Sequence, residues 1–219
     1  MNTLRVRVYD VRFGDAVLIS IPDDPLLSVP DAPASGEAVM RHILIDVGNA
    51  KFSARGGEGH VDELFEPVVR DVLDVLDGQP LDLYVMTHEH WDHVQGLPYA
   101  DEAVFPDRSL AGLLAVRHSW LTASAAPDYD EAHPRAGLAR AEAREVYEAI
   151  ERFLSATGDV DPFVRALMIN NNPSATAYYV DRLRLLAGDE RTHYVHRPRA
   201  GHPEDALDDK HPFGEAVLE

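Results

Sequence analysis

A chain of 219 residues, 45% hydrophobic and 26% charged, can bury a core unaided and is neither disordered nor fibrous in composition. It has no cysteine, which excludes disulfides and thiolate metal sites; any bound metal must take its ligands from carboxylates and the eleven histidines. The formal net charge of −18 repels a phosphate backbone and disfavours non-specific nucleic-acid binding, although it leaves room for a local basic patch.

Met1 to Val8 alternates like a strand and lacks the apolar core of a signal peptide. No apolar run reaches the length of a membrane span, so the expectation is a cytoplasmic protein without a membrane partner. Leu4 to Val11, Ala16 to Ile21 and His42 to Val47 read as strands, with Gly14-Asp15 turning between the first two. Pro22 to Glu37, rich in Pro, Asp and Ser, reads as a loop or wide hairpin. In Val61 to Leu76, apolar residues recur at offsets of three and four until Gly78 and Pro80, which predicts a helix.

Leu81 to Met86 is a short apolar strand, and strand, helix, strand in this order predicts an α/β layered architecture. Val104-Phe105 and Leu113 to Val116 read as further short strands. Pro134 to Leu154 reads as a second helix, with Leu138, Ala141, Val146, Ile150 and Phe153 on or near one face. Phe163 to Ile169 follows, then Ala175 to Val180 and Arg182 to Ala187, read as a hairpin turning at Asp181-Arg182. Beyond Gly188-Asp189 the chain is polar and Pro-rich. The expected organisation is a single domain over 1–219: an αβ half over 1–100, a second half over 101–190 and a polar tail over 191–219.

Directly after the apolar strand comes Thr87-His88-Glu89-His90-Trp91-Asp92-His93. A strand end is a rigid platform, and in an extended backbone His88 and His90 fall on the same side, able to reach one ion. Asp92 and His93 then turn the other way and can reach a second. Two divalent ions so spaced can share a hydroxide and clamp a scissile ester or amide. Four ligand-type residues in six positions are a metal signature that a lone surface histidine is not.

This loop resembles the His-x-His-x-Asp-His motif of the metallo-β-lactamase-fold superfamily. Phe13-Gly14-Asp15-Ala16 and Ile43-Leu44-Ile45-Asp46-Val47-Gly48 are similar to that family's opening strands, above all in the branch holding the hydrolase domain of bacterial DNA-uptake competence proteins. The resemblance implies an αβ/βα four-layer sandwich, with its C-terminal half either full or shortened here. It implies that His88 and His90 ligate one ion, Asp92 and His93 the other, and that Asp189 of Leu185-Leu186-Ala187-Gly188-Asp189 bridges both. Asp46 would brace the loop, or simply end a strand before a turn. Asp92 would also orient the attacking hydroxide. The cofactors implied are two divalent ions, zinc or else manganese.

Two positions depart from the family's ligand set. Asn170-Asn171-Asn172 stands where many members carry a histidine, which implies a weaker first site unless an amide oxygen serves. The last histidine on the second ion has no clear counterpart. His193, His196, His202 and His211 are candidates by type, His196 and His202 above the others, or a partner chain completes the site. Trp91 is expected to wall the pocket, and His118-Ser119-Trp120 and His133-Pro134 to be structural or substrate-loop residues. The function implied is metal-dependent hydrolysis of a phosphodiester or related ester, a phosphodiesterase or nuclease activity on a small-molecule or phosphodiester substrate. The alternative is a weakened or inactive subunit acting as a binding or regulatory module.

Overall fold

The computed structural model describes residues 3–22, 40–50, 61–99, 114–157, 160–161, 170 and 172–195. Within them a mixed six-stranded sheet runs in sequence order: β1 (Arg5–Val8), β2 (Ala16–Pro22), β3 (Met40–Val47), β4 (Leu81–Val85), β5 (Val116–Thr122) and β6 (Thr192–Val195). β1, β2 and β3 pair antiparallel, and β3 through β6 pair parallel. The helices are α1 (Val61–Leu76), α2 (Trp91–Val94), α3 (Gly96–Tyr99), α4 (Tyr129–Ala132), α5 (Pro134–Thr157) and α6 (Pro173–Arg184). The chain is therefore α/β. Among the described residues no helix is long and apolar enough to cross a membrane.

The core forms where the two hydrophobic periods meet. Leu18 and Leu44 are cross-strand partners on β2 and β3, and both are fully buried. They share a core with Phe65, Val68, Val69 and Val72, the inner stripe of α1. Asp77 and Gly78, both at positive φ, stop that helix and turn the chain into β4. Alternation sends Val17, Ile19, Ile43 and Ile45 to the other face of the sheet, where they are half-buried. On the same face of the edge strand, Val6 and Val8 are 56% and 76% exposed.

Several expectations need correction. Ala175 to Val180 and Arg182 to Ala187 are not a hairpin: they fall largely within helix α6. Asn172 caps it by accepting from the Ser174 N–H at 3.0 Å, and Pro173 opens the first turn. Thr176, Val180 and Leu183 are then buried at helical spacing. The strand expected over Leu113 to Val116 begins only at Val116 and continues to Thr122, so His118, Ser119 and Trp120 belong to a central strand. α5 matches its expected range, yet Leu138, Val146 and Phe153 are exposed and Leu154 is its only buried residue. The helix packs against α4 and α6 by a neighbouring stripe that includes Arg140, Tyr147, Ile150 and Leu154. Thr192–Val195, at the head of the expected polar tail, is the sheet's last strand. Val104-Phe105, Phe163 to Ile169, residues 23–37, His196, His202 and His211 lie outside the described residues.

Candidate metal centre

β4 is flanked by parallel strands on both sides, and its C-terminal end carries the histidine loop. Met86 donates its N–H to the Trp120 carbonyl, which extends the ladder one residue past β4. Asp46, at the end of β3 in the left-handed region (φ 48°), then takes over. Its carboxylate accepts from the Thr87 N–H at 2.8 Å, from the Thr87 hydroxyl, and from His93 Nδ1 at 2.8 Å. A 1%-exposed carboxylate with these partners holds both ends of the loop.

Two glycines let neighbouring backbone close on this loop. A Cβ on Gly48 would stand 2.2 Å from the Asp92 carbonyl carbon, and one on Gly14 would stand 2.2 Å from the Gly48 oxygen. In the space left open, Asp15 donates its N–H to the Asp92 carbonyl and Gly48 donates to the Asp15 carbonyl. The opening strands therefore clasp the backbone of α2 directly.

His88, Asp92 and His93 each present one ligand atom, and all three atoms lie within 4.8 Å of one another. With Nδ1 of His93 committed to Asp46, its Nε2 is the atom turned towards Asp92, 3.6 Å from Oδ2. Asp15, Asp46 and His93 form a second such group, with Asp15 Oδ2 3.7 Å from His93 Nδ1. Because it meets His93 on the nitrogen already bonded to Asp46, this second group is the loop's support. His90 lies outside both groups, its ring edge-on to His88 with centroids 4.6 Å apart.

The charges follow from this packing. Burial lowers the His88 pKa, and the neighbouring His93 and His90 lower it further against Asp46 and Asp92, leaving a neutral ring with a free lone pair. Burial works against charge on His93 as well. Hydrogen bonds to Asp46 and Asp92 outweigh it and raise that pKa to about 9. Burial similarly opposes ionisation of Asp92, but hydrogen bonds from His93 and Asn170 bring its pKa below the usual carboxylate value. Asn170 therefore has a place in the site: its amide donates to Asp92 Oδ1 at 3.1 Å.

Other expected site residues fall elsewhere. Asp189 is exposed and opens a 3-10 turn, Asp189–Arg191, that leads into β6 from its start. It belongs to neither group of metal-ligating side chains. Trp91 is 5% exposed, donates to Gln95 Oε1 at 2.7 Å and meets Tyr179 edge-on. His193 sits on β6 over His118, with ring centroids 6.0 Å apart. Glu89 carries a role that the sequence reading missed. Its Oε1 accepts from the Thr122 hydroxyl at 3.1 Å and from Ser124, which ties the loop to the end of β5. The available signal was alternation, which turns Glu89 away from the side shared by His88 and His90.

No family model, curated protein or solved structure matches the chain. The site's residues and geometry therefore carry the functional argument.

The donor set is chemically suited to a metal ion. Two imidazoles and a carboxylate are the ligands that zinc accepts, and the carboxylate also suits manganese. One imidazole is already neutral, and the other has its far nitrogen fixed by a carboxylate, an arrangement common around metal-bound histidines.

Proposed function

We propose that the protein is a metal-dependent hydrolase of the metallo-β-lactamase type, acting on a phosphodiester or related ester. The observation that carries this reading is the convergence of His88, Asp92 and His93 at the C-terminal end of a central parallel strand, with Asp46 fixing the far nitrogen of His93. In this reading the mixed sheet is one of two in a four-layer sandwich. Its half-buried apolar face, with Val17, Ile19, Ile43 and Ile45, is the one a second sheet would cover.

Divalent ions at such a site generate a nucleophile from water at neutral pH and stabilise charge on the attacked group. The residues' own contributions follow from the contacts above. His88 offers a lone pair without first losing a proton. His93 must give up the proton that Asp46 and Asp92 favour, so metal uptake releases a proton. Asp92 is held ionised, with Oδ1 turned to Asn170, leaving Oδ2 as its atom nearest the His93 ring. His90 stands beside His88, with ring centroids 4.6 Å apart.

A second reading is a metal-binding subunit without hydrolytic activity. The placement of Asp189 outside the cluster favours it, since among the described residues Asp92 is then the one carboxylate grouped with both His88 and His93. Metal content and hydrolysis of bis-p-nitrophenyl phosphate, measured on the same purified protein, separate the two. Under the hydrolase reading, activity depends on added zinc or manganese and is lost in His88→Ala together with bound metal. Bound metal with no hydrolysis under either ion supports the second reading instead.

A further inference from the structure

We propose that a cleft beside the metal loop, between Glu89, α4, α5 and α6, binds a small phosphate group, with Arg144 as its principal ligand. The inference deepens the hydrolase reading, and rests on it, in treating this group as part of the substrate. The cleft has a volume of about 220 Å³. Drug-sized ligands occupy roughly 300–1,000 Å³, so this space suits one compact group.

Three guanidinium groups line the cleft in a chain whose net charge is −18. Two have structural partners: Arg184 holds the Ala125 carbonyl and Asp181, and Arg140 donates to the Ser124 carbonyl at 3.1 Å. Arg140 also has Nη1 3.4 Å from Asp130 Oδ1, close enough for charge but without hydrogen-bond geometry. That carboxylate oxygen is shut off from solvent and accepts no hydrogen bond. Arg144, on the same wall, makes no ion pair among the described residues. The third acid, Glu89, has Oε1 occupied by the Thr122 and Ser124 hydroxyls.

The cleft thus offers one uncommitted guanidinium and a second whose Nη1 has only a charge contact, with Asp130. Phosphate oxygens are the acceptors that both guanidinium groups lack. Guanidinium forks match phosphate geometry, which sets this site apart from one built of lysines. Glu89 belongs both to the lining of the cleft and to the His88–His93 loop.

The test is titration of the full chain, after treatment with a chelator, with inorganic phosphate at constant ionic strength, followed by calorimetry and thermal melting. Phosphate is expected to bind and raise the melting temperature, and Arg144→Gln to weaken its affinity at least tenfold. Arg135→Gln, on the same helix outside the cleft, is expected to bind as the wild type does. Equal binding by Arg144→Gln, a wild-type response no larger than that of chloride, or an equal response to acetate would overturn the assignment. His88→Ala is expected to keep the phosphate response while losing hydrolysis. Arg144-dependent binding in a protein that never hydrolyses a phosphodiester defeats the hydrolase reading alone; hydrolysis without Arg144-dependent binding defeats this inference alone.

Discussion

The loop after β4 and the turn before β6 look alike on paper: each sets acidic or histidine side chains beside a short strand. In the fold they have opposite fates. The loop follows the end of a central strand, where Asp46 from β3, Glu89's partners from β5 and the Gly48 backbone all meet it. The turn Asp189–Arg191 precedes its strand and leaves Asp189 exposed. In a parallel sheet the carboxyl ends of neighbouring strands lie together, so side chains placed there converge. Residues that lead into a strand point their chemistry to the other end.

The sharpest way to break this difference is to force the clasp open. Gly48→Ala puts a methyl group 2.2 Å from backbone of α2, which cannot retreat as a flexible side chain can. A loss of roughly 3 kcal/mol or more in unfolding free energy is expected, measured by denaturant melts. A stability within 0.5 kcal/mol of the wild type would mean that the backbone does not close on the loop as described.

A smaller effect is expected from Asp46→Asn, which keeps the shape but not the charge that orients His93. Metal affinity should fall by about 10- to 100-fold while the fold persists, as for other residues that hold a metal-bound histidine. Competition with a chromogenic chelator measures it. An unchanged affinity would show that His93 needs no such support.

The smallest effects belong to the turn. Asp189→Ala should leave chelator competition unchanged and alter stability by less than about 0.5 kcal/mol, as at an ordinary surface position. Asn172→Ala, which removes the cap of α6, should cost about 1 kcal/mol. A marked loss of metal affinity in Asp189→Ala would restore that residue to the site and erase the contrast with the loop.

Much of this molecule is readable from local pattern. The helix over Val61–Leu76, the three opening strands and the strand ahead of the histidine loop follow from periods of 3.6 and 2 with glycine or proline at their ends. His88, Asp92 and His93 were legible for a similar reason, since a strand end holds its neighbours in a narrow space. Asp15, Asn170 and the Thr122–Ser124 anchor of Glu89 were harder to see, because each reaches the loop from a distant stretch of chain.

The misreading of Ala175 to Ala187 shows where local pattern ends. Tyr178, Tyr179 and Val180 favour strands by composition, yet Asn172-Pro173 starts a helix and Thr176, Val180 and Leu183 bury one stripe of it. That single exchange moves Asp189. At the end of a returning strand it would stand at the sheet's carboxyl edge; after α6 it stands at the start of β6 instead. By itself, the sequence determined the periods, the boundaries of the early elements and a compact set of ligand-type side chains. Strand direction, and with it which acids share an end of the sheet with those histidines, was decided only by the tertiary structure. Direction depends on how segments far apart in the chain pack, and no local run of residues encodes it.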